Sequence, residues 1–248
     1  MVRPRRKSRK PVRGRPGPKP RTRAAAAGAT PGTAQGATGG VAGGPVPSLR
    51  DACLAALAAQ RGVRRSRRPP LAAGQLAAPI TLSGAVASSL FRLAFLGAAG
   101  VPAGGSTMAQ APGEVVWTDG DSELLVRAGR ARLVPIDGFL LAGLPVYTEQ
   151  TGEVEVVVPF ATGTPRELIG LVVAAEHEPR GPPALMARWG DPLLAAAWQA
   201  LVNVAREVAA ASGVDERQDP LLPAALSAGP KGLQLRAQAR FAFDRSAT

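Results

Sequence analysis

No aromatic residue occurs in the first ninety positions of this 248-residue chain. Bulky side chains supply much of the buried apolar area that offsets chain entropy, so that stretch is not expected to build a core. All ten aromatics fall between Phe91 and Phe243, eight of them from Trp117 onward, and a packed core is expected only after about residue 112. Cys53 is the one cysteine, which excludes an intramolecular disulfide, and His177 is the one histidine, which leaves no Cys/His zinc constellation. Neither fact selects a compartment. Two motifs of chemistry are also missing: a G-x-S-x-G nucleophile elbow and a phosphate-cradling glycine loop that opens a helix.

Acidic residues are absent from the first 23 positions, which hold eleven Lys and Arg. The formal net charge of +12 is therefore concentrated at one end: residues 49–70 add six Arg against Asp51, while everything after residue 70 carries 13 basic and 17 acidic residues. Between Met1 and Ser48 there are nine Gly and eight Pro, with Met1, Val2, Val12, Val41 and Val46 as the only larger apolar residues. Such a composition stays solvated, so residues 1–48 read as a disordered arm whose natural partners are polyanions: DNA, RNA or an anionic membrane surface. The residues that would make the contacts are Arg5, Arg6, Lys7, Arg9, Lys10, Arg13, Arg15, Lys19, Arg21 and Arg23.

Within the arm, Arg13-Gly14-Arg15-Pro16 resembles the AT-hook. That element lies extended in the narrow, strongly negative minor groove of AT-rich DNA, with Gly permitting close approach and Arg side chains along the groove floor. The resemblance implies minor-groove contact by Arg13, Gly14, Arg15 and Pro16. It covers about ten residues, and Gly17-Pro18 stands where a second basic cluster ordinarily follows.

Residues 49–112 read as a linker that contains two elements. Ser48-Leu49-Arg50-Asp51 is a capping-box-like start, and Leu49, Cys53 and Leu57 recur at helical spacing, which predicts a short helix over about 49–61. The run from Leu71 to Val101 is apolar, small-residue-rich and interrupted only by Arg92. Its part from Ile80 is long enough to span a bilayer, but Arg92 near the middle would cost about 2.5–3.5 kcal/mol. A second reading makes it a targeting segment, with Arg64, Arg65, Arg67 and Arg68 in front and Ala109-Gln110-Ala111 as a cleavage site; the sixty residues that precede it argue against this. The favoured reading is a weak amphipathic helix over about 84–98 that covers part of the neighbouring domain.

From 113 to 245 the pattern predicts a compact α+β domain, a mostly antiparallel sheet of about five or six strands covered by one long helix. Glu114–Thr118 and Glu123–Val126 flank Asp119-Gly120, and Arg132–Ile136 and Phe139–Leu141 flank Asp137-Gly138; both read as hairpins, the first with a type I′ turn. Glu153–Val158 alternates acid and Val, pairs with Pro145–Glu149 across Gln150-Thr151-Gly152, and turns its valines inward. Leu168–Ala174 fits a central strand. Asp191 as N-cap and Pro192 at the first helical position open a helix of about twenty residues, with Leu194, Ala197, Trp198, Leu201, Ala205 and Val208 on one face. Leu233–Phe243 alternates apolar with Gln and Arg, which predicts a final strand with one wet side.

Candidate chemistry is sparse. Asp119-Gly120-Asp121-Ser122-Glu123 opens like a calcium loop, but Leu124 and Arg130 occupy the places of the required Gly and Glu, and a hairpin turn is the better account. Glu176-His177-Glu178 offers a histidine beside carboxylates, which reads as an exposed loop before Pro179 unless further ligands converge there. Glu149, Glu153 and Glu155 read as the solvent face of a strand, and Cys53 as lying outside the fold. No catalytic residue, cofactor or metal ligand is expected, and an enzyme, such as a small hydrolase using His177, is disfavoured.

The sequence therefore points to a non-enzymatic binding or assembly subunit, with the arm on nucleic acid and the domain on a protein partner or on itself. An exported or membrane-tethered domain targeted by residues 71–101 is the alternative, and a cytoplasmic location is favoured over export. A third reading makes residues 1–107 an overextended start, with the true one near Met108. Intact-mass measurement on the native protein decides this last reading, which falls if any peptide from before Met108 is present.

Overall fold

The computed structural model describes residues 47–61, 71–72, 74–100, 107–108, 113–136, 138–162, 173–213 and 221–239. The basic arm lies outside these residues, and every element of the fold belongs to the unit that runs from Pro45 to Thr248. Helix α1 spans Leu49–Arg61. At its start the Asp51 amide donates to Ser48 Oγ at 3.2 Å, and the Ser48 hydroxyl donates to Asp51 Oδ2 at 2.6 Å. Asp thus replaces the usual Glu of the capping box and, being shorter, meets the cap hydroxyl. Cys53 and Leu57 on this helix are buried.

Strand β1 (Ile80–Leu82) leads into helix α2 (Gly84–Ala98), whose N-cap is Ser83, accepting from the Val86 amide. The expected amphipathic helix over 84–98 is present. It buries Ala87, Leu90, Phe91, Ala94 and Phe95. Fifteen residues rise about 22 Å, short of the roughly 30 Å hydrocarbon layer, and among the described residues no helix is long and apolar enough to cross a membrane. Arg92, the charge that made a spanning segment costly, donates its Nε to the Ala131 carbonyl at 2.6 Å. Ala109-Gln110-Ala111 lies outside the described residues.

The next strands are β2 (Thr107–Met108), β3 (Val115–Asp119), β4 (Ser122–Val126), β5 (Arg132–Ile136), β6 (Phe139–Thr148), β7 (Gly152–Thr162) and β8 (Val173–Ala175). They form one seven-stranded antiparallel sheet in the order β2-β3-β4-β6-β7-β8, with β5 also beside β6. In the β3–β4 hairpin Asp119 pairs with Ser122, so the two loop residues are Gly120 and Asp121. Gly120 has φ +57°, and among the described residues no non-glycine has positive φ. One positive φ at the first loop position is the type II′ pattern, not the expected I′, because the turn falls one residue later than Asp119-Gly120. Strand β6 unites two segments expected to be separate, and pairs with β7 without a shift from Phe139↔Ala161 to Thr148↔Gly152. Val156 and Val158 are buried, while Glu153 and Glu155 face outward.

Helix α3 runs Pro183–Ser212 and is followed by β9 (Leu222–Gly229) and β10 (Gly232–Gln238), which make a second sheet in the order β1-β10-β9. The cap of helix α3 is Pro182, nine residues before the expected Asp191, and the helix carries Pro192 in its interior. An interior proline removes one hydrogen bond and costs about 3 kcal/mol. The helix continues because both sides of the break are buried: Leu185 and Trp189 before it, Leu193, Ala197 and Leu201 after it. Strand β9 was not expected, since its Leu-Pro-Ala-Ala-Leu-Ser-Ala-Gly sequence is poor in β-branched residues; Ala224, Leu226 and Ala228 nevertheless alternate inward. The alternation expected after Leu233 holds through Ala239, and Phe241 and Phe243 lie outside the described residues. Of Leu168–Ala174, expected as a central strand, residues 168–172 lie outside the described residues, and Val173 and Ala174 belong to β8, which stands at the edge of the large sheet.

The architecture is thus α+β, with antiparallel sheets and the long helix α3 in contact with α1, α2 and the β9–β10 hairpin. One core cluster holds Cys53, Leu57, Phe91, Phe95, Trp117, Leu140, Phe160, Leu201 and Leu235 together, so the core reaches back well before residue 113. The aromatic count missed this because α1 and α2 fill the core with Ala, Leu, Cys and only two Phe. A polar joint links the two sheets: Gly138 N–H donates to the Ala228 carbonyl at 3.1 Å, and Thr162 Oγ1 accepts from the Ala228 amide at 3.1 Å while donating to the Gly138 carbonyl at 3.1 Å.

Replacing Phe91 by Ala is expected to cost about 3–5 kcal/mol in denaturant titration, as for a fully buried ring; a loss under about 1 kcal/mol would place α2 outside the core. Thr162→Val keeps the shape of the joint but strips the Ala228 amide of its acceptor, at about 1–3 kcal/mol. Thr162→Ser, which retains the hydroxyl, is expected to recover most of that loss.

Candidate functional site

The twelve residues expected to contact nucleic acid, Arg5, Arg6, Lys7, Arg9, Lys10, Arg13, Gly14, Arg15, Pro16, Lys19, Arg21 and Arg23, lie outside the described residues. The sites within the fold are built elsewhere. Between the tips of the β3–β4 and β6–β7 hairpins and the first turns of α3 lies an open cleft of about 390 Å³. Asp121, Glu123 and Glu149 stand at the cleft beside Thr148, Thr151, Arg188 and Trp189. Arg188 closes one side, with Nε 3.0 Å from Asp119 Oδ2 and Nη1 donating to Ser122 Oγ. The floor is Trp189, nearly buried, its ring centroid 6.3 Å from that of Trp117.

Asp119 to Glu123 therefore form a hairpin tip held to a helix by an arginine, and among the described residues no group of three His, Cys, Asp or Glu is placed to hold a metal ion. Arg188 and Trp189 were not legible as cleft residues. They precede Gly190-Asp191-Pro192, which reads as a helix start and so places them in a loop; the extra turns of α3 bring them to the hairpin instead.

Glu153 and Glu155 are not a free acidic pair. Arg127 Nη1 meets Glu153 Oε2 at 2.5 Å and Arg130 Nη1 meets Glu153 Oε1 at 3.3 Å. Arg132 makes a two-pronged contact with Glu155, Nε to Oε1 at 2.6 Å and Nη2 to Oε2 at 2.5 Å. This pair crosses directly over Gly143, where any Cβ would meet both the carboxylate and the guanidinium. The hydrogen bond to Glu155, and then its charge, push the Arg132 pKa up from its ordinary value. The ladder neutralises this half of the outer sheet face.

The other half is apolar. Residues paired directly across antiparallel strands share a face, and the rows Ile136–Phe139–Ala161 and Val134–Leu141–Pro159 adjoin there. Val134 is 40% exposed, Ile136 45% and Phe139 40%. Three neighbouring large apolar side chains in this state form a patch, whereas scattered single ones are ordinary on a surface.

His177 is exposed together with Glu176 and Glu178, and the Glu176 amide bonds the Pro159 carbonyl at 3.1 Å, which fixes the loop to β7. Cys53 differs from expectation: it is fully buried within the fold. Burial, with a smaller push from Glu207, raises its thiol from 9.0 to about 12. A nucleophilic cysteine needs the opposite, a lowered pKa and access.

Native protein at pH 8 is expected to leave Cys53 unlabelled by a water-soluble disulfide reagent, with one thiol appearing on denaturation; rapid native labelling would contradict its burial. Because the folded pKa lies above the unfolded one, the contribution of Cys53 to stability is complete below pH 9 and declines as pH rises towards 12. No protein family, curated protein or solved structure matches this chain.

Proposed function

We propose that the protein is a non-enzymatic binding or assembly subunit, in which the basic arm holds nucleic acid and the folded part docks on a protein partner. The observation that carries this reading is the segregation of charge. Eleven Lys and Arg without one acid occupy the first 23 residues, whereas the chain after residue 70 has four more acidic than basic residues. A fold near neutrality avoids blanket adhesion to polyanions, and a solvated cationic arm supplies salt-dependent affinity through counterion release.

The outer sheet face supports the second half of the reading, since Val134, Ile136 and Phe139 offer an uncharged surface beside a ladder in which Arg127, Arg130 and Arg132 pair with Glu153 and Glu155. An apolar centre with a polar margin is the common anatomy of protein interfaces. The resemblance of Arg13-Gly14-Arg15-Pro16 to the AT-hook adds AT-rich duplex DNA to the DNA and RNA that such an arm can hold without sequence preference.

Mobility-shift titration of the full chain against a chain beginning at Pro45 tests the arm. The truncation preserves α1 and α2, whose side chains belong to the core. The full chain is expected to bind duplex DNA with log affinity falling against log salt by about 0.9 per phosphate neutralised, and the truncated chain to lose that binding. Equal affinity of the two overturns the proposal.

A further inference from the structure

We draw no further inference here: the strongest candidate, the exposed apolar patch of Val134, Ile136 and Phe139 on the outer face of the β5–β6 hairpin, belongs to the docking surface already described, and nothing in the structure shows what covers it.

Discussion

The burial of helix α2 is the constraint on which the rest of the fold depends. Its apolar stripe, Ala87, Leu90, Phe91, Ala94 and Phe95, is closed over by α1, α3, β5 and β10. The helix also answers polar groups that burial would otherwise leave unpaired. Ser88 Oγ accepts from the Leu133 amide and donates to the Leu133 carbonyl, both at 3.0 Å, and Arg92 satisfies the Ala131 carbonyl. Just past its end, the Ala99 carbonyl accepts from Trp117 Nε1 at 3.0 Å, which ties α2 to the large sheet. A buried backbone group without a partner costs as much as a lost hydrogen bond. The position of α2 is therefore set by polar contacts as well as by its greasy face.

The same helix explains how an exposed sheet edge is managed. Leu133 is on the side of β5 away from β6, so its amide and carbonyl would offer a template for another strand; Ser88 occupies both. Pro135, on that same side, has no N–H to present. At the far edge, Trp198 lies outside the core stripe of α3 and donates Nε1 to the Val173 carbonyl of β8 at 2.9 Å. A tryptophan at 40% exposure on a core helix has its reason in that bond. With these edges capped by side chains, the exposed apolar residues Val134, Ile136 and Phe139 are left on the outer face of β5 and β6.

Much of the local structure was legible in short signals. Ser48 and Asp51 marked the start of α1, the small apolar run marked α2, and alternation marked β7 and β10. Four features were not. Pro192 reads as a helix start, but tertiary burial of Leu185 and Trp189 carries α3 through it from Pro183. Strand β9 has an alanine-rich sequence with little strand preference, and acquires its conformation from pairing with β10 and from the joint at Thr162. Cys53 sits in a helix flanked by low-complexity sequence, and only its packing against α3 makes it part of the core. The cleft formed by Asp121, Glu149, Arg188 and Trp189 was equally hidden, because its three chain segments are far apart in sequence and meet only when two hairpin tips reach one helix.

By itself the sequence determined the fold class, the Ser48 start of α1, the hairpins around Gly120 and Gly138, and the separation of a cationic arm from a nearly neutral fold. Those follow from composition and short-range periodicity, which act within a few residues. The tertiary structure alone decided where the core begins, where α3 starts, how Glu153 and Glu155 are neutralised and which sheet face remains apolar. Each of these depends on groups brought together from distant parts of the chain, and burial across such distances outweighs the preference of any single residue.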